Sequence, residues 1–139
     1  MMVEKSVIEV LIVEDNPADA YLIQEAMLAE EPGCKTTSVV DGDKAIQYLS
    51  SQRPDIVVLD LNIPRRDGVE VLHFIRAQRR LAGVVVVIFS SSPKDAIERK
   101  APQADAHIQK PFDLDIFLQV GAKIMSCFRQ VQGLDNSPA

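Results

Sequence analysis

Five short apolar runs, at residues 8–13, 36–40, 56–59, 84–89 and 106–108, recur along this chain with helix-like segments between them. Four are rich in Val and Ile, the pattern of strands buried on both faces of a parallel sheet. The fifth is weaker and is assigned from its place in the alternation. Between the runs, apolar residues follow helical spacing. Asn16-Pro17 reads as an N-cap and first helical position, ahead of a stripe of Leu22, Ile23, Ala26 and Met27. Asp41-Gly42 opens a second helix carrying Ala45, Ile46 and Leu49, and Gly68 a third with Val71, Leu72 and Ile75. Ser92-Pro93 with Asp95 resembles a capping box for a short fourth. Leu114, Phe117, Leu118, Gly121, Ile124, Met125 and Phe128 give one long fifth helix. The order is (βα)₅, which predicts an α/β fold with a doubly wound, five-stranded parallel sheet and right-handed crossovers.

A chain of 139 residues suits one domain, expected over residues 1–132, with 133–139 as a flexible C-terminal tail. A net charge of −5 argues against nucleic acid as the partner, because phosphate neutralisation needs a basic patch. No apolar run reaches membrane-spanning length, and the N-terminus lacks the apolar core of a secretory signal. Cys34 and Cys127 match neither a disulfide framework nor a metal-ligand spacing. Together these features point to a cytoplasmic protein with reduced thiols and no membrane partner.

Open α/β sheets bind ligands beyond the carboxyl ends of their strands, where strand order reverses. That rule gathers scattered polar residues into one place. The first run ends in Glu14-Asp15, the third in Asp60, the fourth in Ser90, and Lys110 follows the fifth. In the common order 2-1-3-4-5, Glu14, Asp15 and Asp60 converge while Ser90 and Lys110 approach from the other side. Carboxylates about 5 Å apart at an effective dielectric near 20 repel by roughly 3 kcal/mol per pair. A divalent cation removes that cost, and Mg²⁺ prefers oxygen ligands that bridge carboxylate to phosphate. Lys110 is then available to a phosphoryl oxygen and the Ser90 hydroxyl to another.

These segments, LIVEDN (11–16), VVLDLNIPRRDG (57–68), VIFSSS (87–92) and IQKPF (108–112), closely resemble the receiver-domain signature of two-component signalling. The resemblance extends over roughly residues 8–128 and implies a flavodoxin-like fold. It implies that Asp60 is the phosphoacceptor, that Asp15 binds Mg²⁺ directly and Glu14 largely through water, and that Asn62 supplies a backbone carbonyl to the metal. Ser90 resembles the hydroxyl residue that follows the phosphoryl group, and Lys110 the family lysine. Pro111 would follow a cis peptide bond. The stretches VEDNPADAYLIQEA and LDLNIPRRDG look most like the single-domain regulators paired with bacterial phytochromes, although the insertion those relatives carry before the third strand is absent. The stretch from Ser90 to Lys110 also looks short, which suggests a reduced fourth helix.

The resemblance implies a stand-alone response regulator, a phosphoacceptor and not an enzyme in its own right. A sensor histidine kinase or phosphotransfer protein would serve as donor, with a downstream protein as target. A homodimer through the fourth helix, fifth strand and fifth helix is a further implication. A phosphorylation-independent pseudo-receiver scaffold is the alternative, but scaffolding has no need for the acidic residues and the lysine. A haloacid-dehalogenase-type phosphatase would need a second Asp where Asn62 stands. No P-loop or G-x-G-x-x-G supports a nucleotide site. His107 stands where relatives place Tyr or Phe, and its change of charge near neutrality would make coupling through that ring pH-sensitive. Arg65-Arg66, Arg79-Arg80 and His73 read as solvated surface.

Overall fold

The structure, a computed structural model, describes residues 7–133. Five parallel strands, β1 (Glu9–Val13), β2 (Lys35–Val39), β3 (Ile56–Leu59), β4 (Val85–Ser90) and β5 (Ala106–Gln109), form one sheet in the order β2-β1-β3-β4-β5. The doubly wound sheet expected from the alternation and the flavodoxin-like fold implied by the resemblance are therefore present. Helices α1 (Pro17–Glu30), α2 (Gly42–Leu49), α3 (Gly68–Ala77), α4 (Lys94–Lys100), α5 (Leu114–Leu118) and α6 (Val120–Val131) cover the two faces. The expected tail beyond Gly133 lies outside the described residues.

Successive strand residues point to opposite faces, so each strand feeds two cores. Leu11, Val13, Val57, Leu59, Val86 and Ile88 pack with Ala45 and Leu49 of α2, Val71, Leu72 and Ile75 of α3, and Ile97 of α4. Val10, Ile12, Ile56, Val58, Val85, Val87 and Phe89 pack with Ile23 and Met27 of α1, Phe117 of α5, and Ile124, Met125 and Phe128 of α6. Burial on both faces explains why β3 and β4 read as continuous apolar runs, while the edge strands β2 and β5 stay partly exposed.

The caps at Asn16 and Asp41 form as expected. Asn16 Oδ1 accepts from the N–H groups of Ala18 and Asp19 at 2.9 and 3.2 Å, and Asp41 Oδ1 from Lys44 at 2.7 Å. Three local expectations fail. Ser92 and Asp95 form no capping box: Pro93 occupies the N-cap, the Ser92 N–H turns back to Ser90 Oγ at 3.4 Å, and Asp95 pairs with Arg99 at 3.2 Å. The fifth helix is two segments, broken at Gln119, where the Gln119 and Ala122 N–H groups bond to carbonyls only three residues back. Just beyond the break, Gly121 lets α6 close on α1, since a Cβ there would overlap the Ala26 carbonyl. The Lys110–Pro111 bond is trans, the lower-energy isomer of an X–Pro amide, and not cis.

Candidate functional site

Strand register assembles the site. Val13 lies beside Leu59, and the Asp60 N–H continues the ladder to the Val13 carbonyl at 3.1 Å, so Glu14 and Asp60 emerge side by side. The Lys110 N–H bonds to the Ser90 carbonyl at 2.8 Å, fixing the lysine beyond β5 next to the end of β4. All six residues expected from sequence, Glu14, Asp15, Asp60, Asn62, Ser90 and Lys110, thus stand at the carboxyl edge of the sheet. Glu14, Asp60 and Ser90 are buried, whereas Asp15 and Asn62 are exposed.

Lys110 Nζ is the hub. It donates to Glu14 Oε1 at 2.5 Å, Asp19 Oδ2 at 2.9 Å and Asp60 Oδ2 at 3.0 Å, one carboxylate for each ammonium hydrogen. The ammonium also lies 5.9 Å from the ring centroid of Phe89, which packs edge-on against Phe117 at 5.1 Å. Asp60 Oδ1 accepts from the Asn62 N–H at 3.0 Å, and Asn62 Nδ2 donates to Ser90 Oγ at 3.4 Å. Glu14 Oε2 accepts from the Asn16 N–H at 3.1 Å, linking β1 to the α1 cap.

The loop from Asp60 into α3 is held by two close approaches. The Gly68 N–H bonds to the Leu61 carbonyl at 3.0 Å, and a Cβ at Gly68 would overlap the Asp60 and Leu61 backbone. The Gly42 N–H bonds to the Pro64 carbonyl at 3.1 Å, and a Cβ there would strike the carbonyls of Arg65 and Arg66. Those two arginines carry φ of 52° and 76°, unusual for residues with a Cβ, on the loop that frames Asp60. Both are exposed, as expected, and Arg66 meets Asp43 at 2.9 Å at the surface.

The charge balance is uneven. Burial pushes the Glu14 carboxyl up to about 7, with the Asp60 charge adding, against the lowering bonds from Lys110 and the Asn16 N–H. Burial alone pulls the Lys110 ammonium down, but its bonds to Glu14, Asp19 and Asp60 outweigh that and hold it well above the ordinary lysine value. One carboxylate oxygen from each of Glu14, Asp15 and Asp60 lies within 4.8 Å of the other two. A set of hard oxygen donors with surplus negative charge fits a divalent cation such as Mg²⁺.

Sequence reasoning missed Asp19. It lies in the first turn of α1 and reads there as a helix-dipole residue, with no local sign of a partner 91 positions away. His107 is half-buried, and its Nε2 lies 2.5 Å from the Ala101 carbonyl, so that nitrogen carries the proton. His73 is exposed, as expected. Arg80 donates to the carbonyls of Leu49 and Gln52 at the end of α2, so it does more than solvate the surface. Among the described residues no helix is long and apolar enough to cross a membrane.

The sequence is 32% identical over 108 residues to the probable transcriptional regulatory protein TcrX of Mycobacterium tuberculosis, covering 78% of this chain but 45% of that one. The chain thus spans about half the length of that relative. It is 32% identical over 115 residues to sporulation initiation phosphotransferase F of Bacillus subtilis, covering 83% of this chain and 88% of the relative. The response regulator Rcp1 of Synechocystis is 28% identical over 134 residues, covering 91% and 86%. Among solved structures, the phosphorylated cyanobacterial phytochrome response regulator RcpA matches with a TM-score of 0.81 at 29% identity, covering 96% of this chain and 100% of that one. Two further matches are metal-bound: the Mn²⁺ form of Rcp1 (TM-score 0.69, 27% identity, 94% and 99% covered) and the Mg²⁺-bound receiver domain of the histidine kinase PA1611 from Pseudomonas aeruginosa (0.70, 27%, 87% and 99%). A family model for the response regulator receiver domain matches residues 10–120, and this chain belongs to that family.

Proposed function

We propose that this receiver domain is a phosphoacceptor switch of two-component signalling, taking a phosphoryl group onto Asp60 from a sensor histidine kinase or phosphotransfer protein. The observation that carries the reading is the meeting of Lys110 with Asp60 and Glu14 at the strand ends. An Asp60 carboxylate oxygen attacks phosphorus, forming the O–P bond of an acyl phosphate. The P–N bond to the donor imidazole breaks, and its electron pair stays on nitrogen. Glu14, Asp15, Asp60 and the Asn62 backbone carbonyl would hold Mg²⁺, which when bound neutralises charge on the phosphoryl oxygens. Lys110 supplies a second positive charge at 3.0 Å from Asp60 Oδ2. The Ser90 hydroxyl, now bonded to Asn62 Nδ2 and the Ser92 N–H, turns to donate to a phosphoryl oxygen.

The protein assists its own phosphorylation and dephosphorylation but turns over no external substrate, and it acts in the cytoplasm on a downstream protein. Phe112, Leu114, Ile116 and Leu118 are exposed along the chain from β5 into α5. They support an output or homodimer surface built from α4, β5 and the α5–α6 segment. Incubation with acetyl phosphate and Mg²⁺ should add the mass of one phosphoryl group, and Asp60→Asn should add none. Equal labelling of the two proteins would overturn the reading.

A further inference from the structure

Lys110 divides its three hydrogen bonds unequally between two kinds of carboxylate. Glu14 and Asp60 belong to the group whose oxygens can converge on a cation, and Asp19 does not. When Glu14 and Asp60 turn their oxygens to a divalent cation, and Asp60 later carries a phosphoryl group, two of the three partners of Lys110 are drawn away. Asp19 alone stays available throughout.

Its position is well fixed. Asn16 Oδ1 accepts from the Asp19 N–H at 3.2 Å and the Asp19 side chain is 25% exposed, so the carboxylate projects from the first turn of α1 over the lysine. Resting on the function proposed above, we infer that Asp19 is a positioning residue for phosphoryl transfer. It retains the Lys110 ammonium when the cation arrives, and so keeps the lysine from competing with the cation for Glu14 and Asp60. A carboxylate that served only the α1 dipole would not need to meet a lysine that is 12% exposed and comes from β5.

The test uses the full chain labelled with ¹⁵N-lysine, with Mg²⁺ titrated by NMR into wild type, Asp19→Asn, Asp19→Glu, Lys110→Met and the double variant Asp19→Asn/Lys110→Met. In wild type the Lys110 ammonium resonance persists at saturating Mg²⁺, whereas in Asp19→Asn it is lost to exchange with water. Asp19→Asn weakens Mg²⁺ binding by about five-fold, within the coupling expected of contacting residues. Asp19→Glu restores most of that affinity. In the Lys110→Met background the Asp19→Asn change loses its effect. An ammonium signal equally persistent in Asp19→Asn, or the same loss of Mg²⁺ affinity with and without Lys110, overturns the inference and leaves Asp19 as a general negative charge on α1. Failure of wild type to bind Mg²⁺ at all would instead overturn the functional reading on which the inference stands.

Discussion

Two constellations of opposite charges stand at opposite ends of the sheet, and only one of them is balanced. At the amino ends of β4 and β5, Arg76 donates Nε to the Gln103 carbonyl at 3.0 Å, Nη1 to the Val84 carbonyl at 2.9 Å and Nη2 to Asp105 Oδ2 at 2.9 Å. Asp105 Oδ2 also accepts from the Val86 N–H at 2.8 Å. One cation meets one anion there, and two further donors go to backbone carbonyls, so the group simply ties α3 to β4 and the α4–β5 connection. At the carboxyl ends, one ammonium faces Glu14, Asp19 and Asp60, with Asp15 beside them. That set is short of positive charge, and it is the end that can take up a cation. A balanced network holds structure together, and an unbalanced one is left ready for a ligand.

The largest separation of the two regions is expected from Lys110→Met. Removing the cation strands buried carboxylates and costs about 3 kcal/mol in metal-free protein near neutral pH, by analogy with broken buried pairs. Millimolar Mg²⁺ should restore most of that loss in thermal or urea unfolding, because the cation replaces the missing charge. Labelling of Asp60 should fall sharply in the same variant. A loss that Mg²⁺ does not touch would make the lysine a structural tie like Arg76.

Arg76→Ala should behave the opposite way. It removes the guanidinium from two carbonyls and from Asp105, which keeps only the Val86 N–H, for about 2–3 kcal/mol. In a chain of this size that lowers Tm by roughly 6–10 °C. Mg²⁺ should give no specific rescue, and the folded fraction should still label at Asp60. Lost labelling in fully folded Arg76→Ala would break the comparison, because it would couple the two ends.

A smaller effect is expected from pH. The fold raises the Glu14 carboxyl from 4.5 to about 7, so the folded state binds that proton more tightly than the unfolded chain. Its contribution to stability is therefore full below about pH 4.5 and is lost as pH rises through about 7. In metal-free protein, urea unfolding between these values should show declining stability, and Glu14→Gln should flatten the slope. An unchanged slope in Glu14→Gln would assign it to another group.

Much of this is legible in the sequence. Residues 56–59 and 84–89 read as buried strands because both faces of β3 and β4 are covered, and the Asn16 and Asp41 caps are local signals. Once the strands were placed, the rule that ligands gather at their carboxyl ends brought Glu14, Asp60 and Lys110 together. What stayed hidden depends on distant partners. Asp19 and Arg76 look like ordinary helix-surface charges until β5 and its approach from Ala101 are folded against them. The break at Gln119 was invisible because a single tightened turn barely disturbs an apolar stripe. The capping box at Ser92 failed because its hydrogen-bonding groups have other local partners, Ser90 and Arg99. The left-handed Arg65 and Arg66 carry no glycine signal, and the close contact of Gly42 with their carbonyls accompanies that conformation.

The central claim is that the unbalanced end receives a phosphoryl group on one particular carboxylate among several neighbours. Treating the phosphorylated protein with borohydride reduces an aspartyl phosphate to homoserine, and peptide sequencing by mass spectrometry then locates the reduced residue. The account predicts homoserine at position 60, with the neighbouring Asp15 and Asp19, and Asp55 at the far end of β3, intact. Homoserine at any of those three, or at none of the aspartates in protein that carries the phosphoryl mass, would contradict it.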